Sequence, residues 1–126
     1  MIPFEEVICQ LILRHNCVVL PNFGGFVAKQ ASASIDYKNG VMTPPRKSLL
    51  FNRQLINNDG LLIAELAAES ALSFNDAQAK IGELVVRWNE TLKRGERIHL
   101  DRIGNLYLDS ERNICFEQDR FFNLLL

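Results

Sequence analysis

Thiols are scarce in this chain. Cys9, Cys17 and Cys115 are the only three among 126 residues, and no two of them form a C-x-x-C pair. An odd count without that spacing argues against a disulfide framework or a thiolate metal site, and fits reducing, cytosol-like surroundings. Long apolar runs are missing as well: none approaches the roughly 18 residues that a membrane span requires. The opening "MIPFEE" carries acids where a secretory signal places cations. Excess positive charge is absent, with 14 Lys and Arg against 15 Asp and Glu for a net charge of −1. Proteins that grip a polyanion normally show a basic stripe, so the overall balance argues against one. The glycine-rich "NFGGF" is not followed by G-K-[ST], which excludes a phosphate-binding loop, and "NNDG" lacks the further oxygen ligands of a calcium loop.

What the chain does have is apolar substance, 48% of its residues. That is enough for a real core, organised as one ordinary domain or as two very small ones sharing it. Charge is unevenly spread. Up to Ile56 there are six cations (Arg14, Lys29, Lys38, Arg46, Lys47, Arg53) against Glu5, Glu6 and Asp36; the rest holds eight cations and twelve acids. A polyanion site is therefore expected in the first half.

The chain also says one thing twice. "CVVLPNFGGFVA", residues 17–28, and "RIHLDRIGNLYL", residues 97–108, match in residue type at a constant offset of 80, with Val18, Leu20, Phe23, Gly24 and Phe26 falling on Ile98, Leu100, Ile103, Gly104 and Leu106. Each copy follows a helical pattern. Phe4, Val7, Ile8, Leu11 and Ile12 make one stripe between Pro3 and His15; Ala77, Ile81, Leu84, Val85, Trp88 and Leu92 make another behind a Ser73 cap. An intervening helix, "NNDGLLIAELAAES", is expected to take Asn58 or Asp59 as its cap, and Gly95 to stop the long helix. Each copy continues as strand, turn, strand, connection, strand. The turns rest on Phe23, Gly24, Gly25 and Phe26 in one copy and on Gly104 in the other. The connections differ: residues 28–49 read as a long arm with an Asn39-Gly40 hairpin signal, whereas Leu108 to Ile114 is a stub. A helix on a three-stranded sheet leaves apolar surface bare, and two such units can cover each other. The expected architecture is α+β: a first unit at 1–56 and a second at 57–126, joined through one core as an intrachain pseudo-dimer. The greasy end "FFNLLL" is expected either to pack back on that core or to mark a boundary inside a longer protein.

The second unit resembles the bacterial HU/IHF proteins, on Ala71-Leu72-Ser73, Asp76-Ala77, Gly95-Glu96, Ile98, Leu100 and Ile103-Gly104-Asn105-Leu106; the first carries the ribbon part in Asn22-Phe23-Gly24-Gly25-Phe26. "VVLPNFGGFVA", "PPRKSLLFN" and "NDGLLI" resemble a divergent branch of that family. Its tandem domains stand at the N-terminus of bacterial envelope proteins, often ahead of a membrane segment and a peptidoglycan-binding SPOR domain. The resemblance implies two HU-like units in tandem, a cytoplasmic location, no membrane contact by this segment itself, and either DNA or a protein as partner.

HU-type DNA binding needs two basic arms, a proline wedge before each tip and phosphate contacts from the body. The second copy has no arm, and Asp109, Glu111 and Glu117 surround its turn. The first has one, with Lys29, Tyr37, Lys38, Asn39, Gly40, Arg46, Lys47 and Arg53 as candidate DNA- or partner-binding arm residues. The wedge position reads "YKNG", without proline, and the family's F-K-P-G-K contact is reduced to Arg53 in "FNRQL". His15 lies near Cys17 in sequence and His99 is a candidate neighbour of Cys115, but a nucleophile also needs an orienting group and a cleft. The reading is a non-enzymatic adaptor without cofactor or metal, whose arm residues Ile35, Tyr37, Val41 and Met42 meet a protein. The alternative is architectural DNA binding through the single basic arm.

Overall fold

The computed structural model describes residues 4–31, 34–43, 46–55, 60–120 and 122. Eleven elements follow along the described chain: α1 Phe4–His15, β1 Cys17–Leu20, β2 Gly24–Ala31, β3 Ser34–Asp36, β4 Val41–Thr43, β5 Arg46–Asn52, α2 Leu61–Ser70, α3 Phe74–Lys93, β6 Ile98–Leu100, β7 Gly104–Leu108 and β8 Ile114–Gln118. Two antiparallel three-stranded sheets result, ordered β1-β2-β5 and β6-β7-β8, together with the two-stranded ladder β3-β4 of the arm.

The helices form where the apolar spacing puts them. In α1, Val7, Ile8, Leu11 and Ile12 are buried along one stripe, with Glu5 and Glu6 in the first turn and Arg14 and His15 in the last, each matching the helix dipole. In α3 the six expected residues, Ala77 to Leu92, are the buried face. The Ser73 hydroxyl accepts the Asp76 N–H at 3.0 Å, and Gly95, at φ +79°, ends the helix by donating to the Leu92 carbonyl at 3.0 Å. The cap of α2 is a correction. Gly60, at φ +78°, holds the N-cap place and makes no side-chain cap bond, while the expected Asn58 and Asp59 lie outside the described residues, as do Pro3, Pro44 and Pro45.

The duplication holds in backbone geometry. Asn22 and Arg102, 80 positions apart, both sit at positive φ (64° and 68°), and Gly24 and Gly104 repeat at 153° and 151°. Phe23 N–H donates to the Leu20 carbonyl and Ile103 N–H to that of Leu100, at 3.1 and 3.0 Å. In the third strand the offset becomes 65, because Phe26 pairs with Phe51 and Leu106 with Phe116. The shorter stub accounts for the change.

One apolar core contains residues of both units, from Val7 and Phe26 to Leu106 and Phe122. Phe26 is wholly buried and meets Phe51 of its own unit and Phe116 of the other edge-on, with centroids 5.2 and 5.3 Å away. Phe23 meets Trp88 across the units at 5.4 Å. The long helix thus touches β6 and β7 of its own unit and the first unit's turn. Arg14 and Glu65 add an ion pair between α1 and α2. Of the apolar end, Phe122 is buried against this core.

Candidate functional site

The arm is built by register. The pairs Ala31–Arg46 in one ladder and Ser34–Thr43 in the next keep the same count, two residues separating the ladders on each strand. At the tip, Asp36 closes the turn. Its carboxylate accepts the N–H of Lys38 at 3.0 Å, the N–H of Asn39 at 3.2 Å and the Asn39 side-chain amide at 2.9 Å. The Asn39 side-chain bond, then its backbone bond, hold the Asp36 carboxyl below the usual carboxylate range. A depressed carboxyl orders its turn above that range, and the order is lost as pH falls through the lowered value. Gly40, at φ +66°, completes the reversal. Asp109 does the same work in the stub: it accepts from the N–H groups of Asn113 and Glu111 at 2.8 and 2.9 Å, and the Asn113 bond chiefly holds it low.

The tip exposes apolar side chains. Tyr37 is 88% exposed, Met42 69%, Val41 53% and Ile35 50%. Lys29, Lys38, Asn39, Gly40 and Arg46 are exposed too, and Lys29 and Arg46 share one face of the β2–β5 ribbon, since Lys29 pairs with Ser48 and Ala31 with Arg46.

Two of the expected arm residues lie elsewhere. Lys47 is turned inward, only 4% exposed, and its Nζ donates to the Leu13 carbonyl at 3.0 Å in the last turn of α1. The helix's negative end holds that cation, which is therefore a structural tie and not an exposed arm contact. Its parity with the inward Leu49 and Phe51 was the available signal. Replacing Lys47 by Met, which keeps the apolar stem, is expected to cost about 1–2 kcal/mol by removing that charge-assisted hydrogen bond. Lys38→Met or Arg46→Met should stay within about 0.5 kcal/mol, as exposed positions do. Urea melts followed by Trp88 fluorescence would check the contrast. Arg53, for its part, follows the far end of β5, about 20 Å of strand beyond Arg46. The expected turn residues are structural: Phe23 and Phe26 are core, Gly24 and Gly104 each lie under a phenylalanine ring, and a side chain on Gly25 would press on Leu55.

Other groups are placed as follows. Cys115 Sγ lies 3.8 Å from an Asp109 oxygen, and His99 Nδ1 lies 2.9 Å from Asn105 Oδ1, so neither engages the other. A cleft of about 510 Å³ between α1 and the β6–β7 turn is lined by Glu5, Glu6, Cys9 and Asp101 with Arg102. Burial there pushes the Cys9 thiol up, against the pull of Arg102. Among the described residues, no group of three His, Cys, Asp or Glu could hold a metal ion, and no helix is long and apolar enough to cross a membrane. Sequence reasoning missed the exposed Leu50, Phe74 and Val86.

Two helix-and-sheet units of this turn geometry, closed over one core and carrying one ribbon arm, define an HU-like tandem module. Two family models match it back to back: CCDC81-like prokaryotic HU domain 1 over residues 1–59 and CCDC81-like prokaryotic HU domain 2 over residues 60–126. The chain belongs to this family of CCDC81-like prokaryotic HU domains. No curated protein and no solved structure matches it.

Proposed function

We propose that this tandem HU module is a non-enzymatic adaptor that binds a protein through the tip of its single arm. The observation that carries the reading is the set of four exposed apolar side chains, Ile35, Tyr37, Val41 and Met42, gathered on one short ribbon. Aromatic and methionine side chains are the types enriched at protein interfaces, and an apolar tip with the Ile35–Met42 pair on one face and Val41 on the other has little to gain from a phosphate backbone. The resemblance to tandem HU-like N-termini of SPOR-domain envelope proteins supports a tethering role on the cytoplasmic side of the bacterial envelope.

The second reading, DNA binding through the same arm, draws on its exposed Lys29, Lys38 and Arg46 against the single acid Asp36. Two experiments, a DNA titration and a crosslinking, separate the two. Duplex DNA added at low salt is expected not to bind, while a photocrosslinker placed at Tyr37 in cells forms discrete protein adducts that disappear in an Ile35→Ser/Met42→Ser variant. Binding to DNA that falls steeply with salt and is lost on substituting Lys38 and Arg46 would instead establish the second reading.

A further inference from the structure

The two units are not equivalent where their sheets meet. By the third-strand offset, Gln118 is the counterpart of Arg53, Arg112 of Lys47, and Ile114 of Leu49. On one side of the seam Gln118 lies along the free edge of β5. Its Oε1 accepts the Leu49 N–H at 2.9 Å and its Nε2 donates to the Lys47 carbonyl at 3.2 Å, so an amide side chain stands in for a neighbouring strand.

The counterpart place is open. Arg53, Lys93 and Arg112 surround a notch of about 150 Å³ whose apolar lining is Leu92, Leu108 and Ile114. The Asp109 N–H bonds the Asn113 carbonyl at 3.0 Å, which makes residues 109 and 113 a hydrogen-bonded pair. In an antiparallel ladder the adjoining pair, Leu108 and Ile114, then turns its N–H groups outward, so the Ile114 N–H projects from the edge as that of Leu49 does. Arg53 cannot satisfy it, because a guanidinium has donors only. The ion pairs of the described residues use Arg14, Arg94, Arg97 and Arg102; none uses the three cations of the notch.

We propose that this notch docks an acidic peptide. One Glu or Asp carboxylate takes the place that the Gln118 oxygen takes on the other side: it accepts from the Ile114 N–H and is paired by Arg53, Lys93 and Arg112. An apolar neighbour in the peptide covers Leu92 and Leu108. The volume suits a side chain, equivalent to about five waters at ~30 Å³ each. Asp109 and Glu111 in the adjoining turn oppose a continuous polyanion, which favours a peptide over DNA.

The test is an amide-resolved NMR titration of the whole chain with a capped Leu-Glu-Leu-Glu peptide, its Leu-Gln-Leu-Gln counterpart and a short DNA duplex. The Ile114 amide is expected to shift saturably with the Glu peptide and to stay put with the Gln peptide. Arg112→Gln and Lys93→Gln should each weaken binding by up to about fivefold, the upper end for an exposed ion pair. Arg53→Gln, which supplies the second unit with the same amide that closes the first, should abolish binding and slow hydrogen exchange at Ile114. Met42→Ser should change nothing here, so this site and the arm stand or fall separately. The proposal is overturned if Ile114 does not respond to millimolar Glu peptide, if it responds equally to the Gln peptide, or if the duplex moves it more strongly.

Discussion

Gly104→Ala is expected to destabilise the protein by about 3–5 kcal/mol, a large share of the ~5–15 kcal/mol that holds a domain of this size. Two penalties add. The residue sits at φ +151°, a conformation that L side chains rarely adopt. A Cβ there would also collide with the Glu117 carbonyl and press on the Phe116 ring, at the end of the β7–β8 ladder where Gly104 pairs with Gln118. Backbone cannot swing aside without breaking that ladder. Gly24→Ala is the internal control. Its φ is nearly the same, +153°, but the first obstacle is the para carbon of the half-buried Phe51 ring, which can give way by a small shift of the whole side chain; the Asn52 carbonyl would lie 3.1 Å off. The smaller loss expected there, about 2–3 kcal/mol, isolates the contribution of the backbone collision. Urea unfolding of both variants, followed by the single Trp88, would measure the difference. Equal losses would show that strain at φ, and not the collision, governs both turns.

Phe26→Ala is the second large effect, with about 3–5 kcal/mol lost. The side chain is fully buried and touches Phe51 and Phe116 at once, so its removal leaves a cavity on the seam between the units. The ring contacts on both sides vanish with it, each worth roughly 0.5–1.5 kcal/mol beyond buried area. The variant should still unfold in one step, because Phe23 and Trp88 also bridge the units. Fluorescence and far-UV circular dichroism should therefore give coincident transitions at a lower urea midpoint. Two separated transitions would show that Phe26 alone joins the units.

Much of this fold can be read from residue order. The repeated turn was legible because a chain reversal that tight needs Gly24 and Gly104, and their flanking apolar residues must alternate to reach a core. The helical stripes were legible because period 3.6 puts Val7, Ile8, Leu11 and Ile12 on one side. Exposure of Ile35, Tyr37, Val41 and Met42 followed from their place in a two-stranded arm with no layer over it. The caps were read less well. Ser73 and Gly95 fell where their chemistry requires, but Gly60 took the place expected of an oxygen-bearing side chain, its positive φ being a requirement that does not show in composition.

The candidate site shows the same division. The sequence by itself determined that two similar units would be present, that one would carry an arm, and that this arm would bear both cations and apolar side chains. Only the tertiary structure decided that Lys47 leaves the arm for the end of α1, that Gln118 closes one edge of the seam, and that Arg53, Lys93 and Arg112 meet around the other. The reason is physical. Helix and strand periods act between near neighbours and are written in local order, whereas a hydrogen bond from residue 47 to residue 13, or an amide from residue 118 on strand β5, exists only after distant segments have packed into one core.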